Sequence, residues 1–272
     1  MRRTIATVAV VALVVLAGCS AGGGGGDGTT TQAAPNGTTA SDAGDAIYET
    51  PLDGATVAEN HESVVADATT FTLVSTSNQS QGNQSVSSES TLRADFDSGA
   101  YSSVQQSRGR TVEQFVFGNG SGYQRFEFST GDVRYTVPQQ TANASVIAGG
   151  QIASFVDAFE YEYVGTETVD GTDTHVYEAS GVSDLNESAP GFSGLDTENV
   201  SNLGATLYIT EDGLVKQFGY ELGLETEGQS ASIAVTQQYT DLGETTVEPP
   251  AWIGEARANT SDGSATTTSA SA

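Results

Sequence analysis

From Phe71 to Val137 apolar and polar residues alternate with a period of two, and clusters of Gly, Asp, Asn and Thr break the alternation at short intervals. Successive side chains of a strand point to opposite faces, and strands joined by tight turns pair antiparallel. The pattern therefore predicts a run of hairpins: strands over Phe71–Ser75, Ser85–Phe96, Tyr101–Ser107, Thr111–Phe117, Tyr123–Phe128 and Asp132–Val137. Asp97-Ser98-Gly99, Gly118 to Gly122 and Thr130-Gly131 are the turn signals between them. A second series follows at Glu160–Thr168, Thr174–Ala179, Ala205–Thr210, Leu214–Leu224 and Ser230–Tyr239. Its turns are Asp170-Gly171, Glu211-Asp212-Gly213 and Glu227-Gly228.

Two stretches change to helical spacing. Asp53 can cap a helix to Ala68, with Val57, His61, Val64, Val65 and Ala68 on one face. Ile152, Phe155, Val156 and Phe159 mark a second helix within Thr141–Ala158, whose first half is weakened by Gly149-Gly150. Ser183–Asn202 reads as a polar loop with a short helix. A sheet of about eleven strands must curl or close, and its apolar face needs a cover. Phe126 and Phe128 point one way, and Tyr123, Arg125 and Glu127 the other. Leu214, Phe218, Tyr220, Leu222 and Leu224 likewise oppose Gln217 and Glu221, so one face is expected to be apolar and the other wet. The expected class is mainly β with two or three helices (α+β): a curved antiparallel sheet forming an incomplete barrel, covered by helices. Between sheet and helices lies either a packed core or a hollow.

The amino end is of another kind. Arg2 and Arg3, the apolar run Ile5–Leu16 and the small residues Ala17 and Gly18 have the three parts of a secretory leader. The run is shorter than the ~20 residues of a membrane span. Cys19, the only cysteine, directly follows Leu16-Ala17-Gly18, which resembles the lipobox of bacterial and archaeal lipoproteins. The resemblance implies a leader over residues 1–18, cleavage before Cys19, and a lipid on its sulfur that holds the protein on the outer side of the cell membrane. With one cysteine no disulfide can form within the chain.

Residues 19–51 form a Gly/Thr/Ser-rich tether, 52–257 the folded domain and 258–272 a polar tail. Asn36, Asn78, Asn83, Asn119, Asn143, Asn186, Asn199 and Asn259 begin Asn-x-Ser/Thr sequons, the candidate glycan acceptors of an exported chain. There are 35 acidic against 9 basic residues, for a net charge of −26. Nucleic-acid binders show basic surfaces, so nucleic acid is not an expected partner. Many acids with a single lysine, Lys216, resemble secreted proteins of halophilic archaea.

Several late segments carry a further likeness. They are Tyr163-Val164-Gly165-Thr166-Glu167-Thr168-Val169-Asp170-Gly171, His175-Val176-Tyr177, Ala205-Thr206-Leu207-Tyr208-Ile209 and Glu211-Asp212-Gly213-Leu214-Val215-Lys216. Together with the lipobox, the tether, the leading helix and the mid-chain helix, they resemble LolA/LppX/LprG-like lipoproteins over about Leu52–Arg257. The resemblance implies a strongly curved, incompletely closed antiparallel barrel with helices over its mouth. It also implies lipids or lipoproteins as cargo in the hollow.

No catalytic residue, metal site or cofactor is expected. There is no Gly-x-Ser-x-Gly elbow to hold a nucleophilic serine. The Asp-Gly pairs lack calcium-loop spacing, and His61 and His175 suit structural places on a helix face and a strand. The aromatics Phe115, Phe117, Phe126, Phe128, Tyr135, Phe155, Phe159, Phe218 and Tyr220 are the candidate lining of a hollow. Pro249-Pro250-Ala251-Trp252 reads as a closing segment laid on the end of the barrel. The expected function is a lipid-anchored binder or carrier of a lipid or other apolar ligand. The alternative is a non-enzymatic surface module with a filled core that contacts envelope proteins.

Overall fold

The computed structural model describes residues 46–139, 141, 151–189, 192, 194–226, 228–260 and 267–268. The expected leader, Cys19, the expected tether up to residue 45, Asn36, Asn143 and most of the first half of the expected mid-chain helix lie outside them.

The domain starts with helix α1 (Gly54–Ala68), and the first strands are β1 (Thr70–Gln81), β2 (Gln84–Asp95), β3 (Ala100–Ser107), β4 (Arg110–Val116), β5 (Gly122–Phe128) and β6 (Val133–Thr136). A short helix α2 (Ile152–Val156) precedes β7 (Glu162–Val169), β8 (Thr172–Ser180), β9 (Val200–Ile209), β10 (Val215–Thr226) and β11 (Gln229–Thr240). Helix α3 (Ile253–Thr260) and the two-residue β12 (Thr267–Thr268) are the last elements among the described residues. All strands form one antiparallel sheet, ordered β12-β6-β5-β4-β3-β2-β1-β11-β10-β9-β8-β7. Its two halves are hairpin series joined where β1 pairs with β11. The edges at β7 and β12 do not meet, so the curved sheet stays unclosed, as expected. Strand twist supplies part of the curvature. Bulges between Val215 and Gln217, between Gly223 and Leu224 and between Tyr163 and Gly165 add local bends.

Two hairpins show how local chemistry sets the register. Arg108-Gly109 and Asp170-Gly171 are two-residue turns with φ of 48° and 70°, and of 49° and 77°. Positive φ at both central residues matches the twist of the flanking strands.

Helix α1 is capped by Asp53, whose Oδ1 accepts the Thr56 N–H at 2.7 Å. Val57, His61 and Val65 on its inner side have no solvent exposure. Nδ1 of His61 accepts the N–H of Val215 at 3.2 Å, and its ring meets Tyr239 edge-on at 4.5 Å. Gly54 brings α1 against α2: its N–H donates to Asp157 Oδ1 at 3.1 Å, and a Cβ there would stand 2.6 Å from the Ala153 carbonyl. The folded part reaches back past Leu52. Ile47 and Tyr48 pack on the core, and the Tyr48 N–H donates to Tyr177 Oη at 2.9 Å.

The main core lies between the inner face of the sheet and α1 and α2, around Phe71, Tyr177, Leu207, Ile209 and Val215. A second cluster, Ala100, Phe115 and Ile253 with Phe117, Tyr123, Val247 and Trp252, lies on the outer face. The expectation of one apolar and one wet face therefore needs correcting over β3–β6. The carboxyl-terminal segment crosses the outer face there and covers aromatics that strand alternation alone points at water.

Candidate ligand-binding site on the inner face

Directly opposed residues of an antiparallel pair share a face, so the register can be followed across the sheet in rows. One inner row starts Tyr163–Tyr177–Leu207–Phe218 on β7 to β10. It continues Gln237–Ser75–Ser90–Gln105 on β11 and β1 to β3, and ends Val112–Phe126–Arg134 on β4 to β6. The next row starts Ala179–Ala205–Tyr220–Val235, continues Ser77–Ser88–Ser107, and ends Arg110–Phe128. On the core side, Tyr239, Leu73, Leu92, Ser103, Gln114, Gln124 and Thr136 form a third. In a chain with 35 acids, none of these rows contains a carboxylate. Glu89, Glu113, Glu127, Glu178 and Glu221 fall on the opposite face by the same register. The inner surface thus passes from aromatic, through hydroxyl and amide, to aromatic with arginine.

At the aromatic end, six rings from four segments meet. Phe155 on α2 lies 4.7 Å from Phe218 and 6.2 Å from Tyr220, both on β10. Phe159 lies 5.6 Å from Phe155, 5.9 Å from Tyr161 and 5.4 Å from Phe192 in the β8–β9 connection. Tilted and edge-to-face pairs at these separations are favourable beyond their burial. Phe218 is 4% exposed, whereas Tyr220, Leu222 and Leu224 along the same strand face are only half-buried. The cluster is therefore solid toward α1 and open toward the far ends of β10 and β11. Burial pushes the hydroxyls of Tyr161 and Tyr220 above the usual tyrosine range. The Tyr161 hydroxyl is buried without a hydrogen-bond partner, a state that costs ~1–3 kcal/mol.

Of the nine aromatics expected to line a hollow, Phe155, Phe159, Phe218 and Tyr220 come together here. Phe126 and Phe128 share the inner face but stand at its arginine end, with Phe128 39% exposed. Phe115, Phe117 and Tyr135 lie on the outer face, which separates them from the other six. Tyr135 Oη donates to Glu255 of α3 at 2.7 Å, and burial and then that carboxylate raise its pKa. Trp252 Nε1 donates to Glu113 at 3.3 Å, Arg125 pairs with Glu113 and with Glu127, and Arg257 stands 5.4 Å over Phe117. The sequence reading omitted Tyr161, Phe192, Arg110 and Arg134. Tyr161 was legible, since Phe159, Tyr161 and Tyr163 alternate with glutamates. Phe192 gave no signal, because it enters from an irregular connection.

Asn83 and Asn119 are exposed at hairpin turns, and Asn78 is exposed on β1. Asn186, Asn199 and Asn259 donate their amides to Asp157, Asp196 and Glu255. His175 Nδ1 lies 3.5 Å from Tyr163 Oη. Among the described residues no group of three or more His, Cys, Asp or Glu is placed to hold a metal ion. A polar cleft of about 470 Å³ around Thr76, Asn78, Glu89, Gln106 and Arg108 lies away from the aromatic cluster and lacks its apolar lining.

A family model described as a family of unknown function, DUF7537, matches residues 4–256. No curated protein matches the chain. Among solved structures the chain is similar to LprF from Mycobacterium bovis, at 13% identity and a TM-score of 0.38, covering 72% of this chain and 96% of that one. It is also similar to the lipoprotein LppX from Mycobacterium tuberculosis, at 14% identity and a TM-score of 0.28, covering 72% and 99%. A LolA superfamily protein from Nitrosomonas europaea matches at 9% identity and a TM-score of 0.20, covering 74% and 97%. Each is a likeness in the broad course of the chain and nothing finer.

Proposed function

The chain belongs to the DUF7537 family of unknown function, and from its own geometry we propose that it binds or carries a lipid or similar apolar ligand outside the cytoplasmic membrane. The observation that carries this is the set of inner-face rows without a carboxylate, whose six-ring cluster is half-open along Tyr220, Leu222 and Leu224. Acids on this face stand at its margins, Asp173 at the start of β8 and Asp132 beside Phe128, and a surface whose central rows hold none in so acidic a protein suits a partner with nothing to offer a carboxylate. An apolar chain laid there gains ~25 cal/mol for each Å² removed from water. The rival module with a filled core has support beneath α1 and α2, where Val57, Val65, Phe71, Ile152 and Val156 are buried, and in the deep part of the aromatic cluster, where Phe159, Tyr161, Phe192 and Phe218 are buried too.

Mass spectrometry under native conditions, on protein purified from its own host, tests the binding. The wild type is expected to carry lipid, and Tyr220→Arg, which places a charge in the open flank, is expected to lose at least nine-tenths of it. A wild type that never carries lipid removes the proposal. Lipidation of Cys19 is the second half of the same reading, supported by the leader-like residues 1–18 and the lipobox-like Leu16-Ala17-Gly18 before it. Cys19→Ser is expected to move the protein from the membrane fraction to the medium. Retention at the membrane after this change sinks the anchor.

A further inference from the structure

We infer that Arg110 and Arg134, with the rings of Phe126 and Phe128 between them, form a subsite for a phosphate-type oxyanion carried by an amphiphile's headgroup. This deepens the apolar-ligand proposal and rests on it. Phe126 of β5 opposes Arg134 of β6, and Phe128 opposes Arg110 of β4, so all four side chains stand on the inner face. The Arg110 guanidinium sits 5.1 Å over the Phe126 ring, which holds its planar fork beside an apolar wall. Neither arginine is in an ion pair among the described residues, whose paired cation, Arg125, lies on the other face with Glu113 and Glu127. The nearest acid in sequence, Asp132, stands opposite Phe128 at the rim of this face, where its carbonyl accepts the Phe128 N–H and its carboxylate accepts the Thr130 hydroxyl at 2.8 Å.

Charge distribution makes the placement informative. Of nine basic residues, Arg2 and Arg3 lie in the expected leader, and two of the remaining seven stand in the rows without a carboxylate. A protein of net charge −26 repels anions at long range. Two guanidiniums outside any ion pair, on the face whose central rows hold no carboxylate, are therefore where an anion can dock, and guanidinium forks match phosphate geometry. Exposed Phe128 beside them suits a ligand that is apolar next to its charge. Six strand steps of ~4.8 Å separate β5 from β10, so head and aromatic cluster lie at the two ends of one continuous surface.

The test is calorimetric titration of the purified protein at ~0.1 M salt with a short-chain phosphatidylglycerol, a phosphatidylcholine of the same chains, and inorganic phosphate. The anionic lipid is expected to bind about tenfold more tightly than the zwitterionic one. Arg110→Gln and Arg134→Gln should each weaken the anionic lipid about tenfold and leave the zwitterionic one unchanged. Arg93→Gln makes the same charge change on the outer face and should alter neither, and circular dichroism checks that each variant folds. Equal affinity for both lipids, or equal loss in Arg93→Gln, overturns the subsite and leaves the apolar site standing. Inorganic phosphate binding as tightly as the anionic lipid overturns the headgroup assignment in favour of a free oxyanion. Binding of neither lipid removes both.

Discussion

Phe218→Ala is expected to lower stability by about 3–5 kcal/mol, the range for emptying a buried aromatic site. Phe218 is 4% exposed, touches Phe155 across the helix–sheet interface, and lies in the row between Leu207 and Gln237. Its loss opens a cavity that α2 cannot fill, because Gly54 and Asp157 fix that helix against α1. In a domain of this size the melting temperature should fall by about 10 °C, and urea unfolding should show a lower midpoint at unchanged slope. Carried lipid should fall with it, since Phe155 loses its support. Phe128→Ala is the contrast. With its ring 39% exposed, it should cost under about 1 kcal/mol. Equal effects of the two changes would mean that the inner face is not packed as described.

His61→Ala should cost about 3 kcal/mol. The ring is fully buried, and Nδ1 accepts the Val215 N–H beside a bulge where β10 leaves its regular pairing. That bond requires Nδ1 to be unprotonated, with the ring proton on Nε2. Alanine leaves both a void and a buried N–H without an acceptor. His61→Gln keeps an acceptor on a flexible stem and should recover about half of the loss, whereas His61→Leu fills the space and should not restore the hydrogen bond. Chemical denaturation of the three variants separates the two contributions. A leucine variant as stable as the wild type would show that the polar contact is dispensable.

Local patterning made most of the architecture readable. The alternation of β4 and β5, the Asp53 cap of α1 and the Asp170-Gly171 turn each have a cause within a few residues, and each appears where that cause lies. Strand lengths were less legible. β1 runs to Gln81 rather than Ser75, because Thr76 to Gln81 is polar on both faces and carries no period. It is extended because β2 and β11 pair with it on either side. β9 begins at Val200 rather than Ala205 for the same reason, with β10 supplying the partner. Helix α3 had too little apolar periodicity to stand out, and it forms against the outer face, where Ile253 and Ala256 are buried.

The candidate site divides along the same line. Sequence assigned Phe126 and Phe128 correctly to one face of their strand and Tyr123 to the other, since a period of two is a property of the strand itself. It did not assign Phe115 or Tyr135 to the outer face of the whole sheet, because parity within one strand says nothing about which face the next element covers. That choice was made by closure: the β1–β11 pairing joins the hairpin series, α1 and α2 occupy the inner side, and the carboxyl-terminal segment takes the outer. The sequence by itself determined an acidic chain of alternating strands with a helix at the start of its folded part. Only the tertiary structure put Arg110 and Arg134 on the face opposite Glu89, Glu113, Glu127, Glu178 and Glu221, because that placement depends on register summed over eleven strands, and no local signal carries so long a sum.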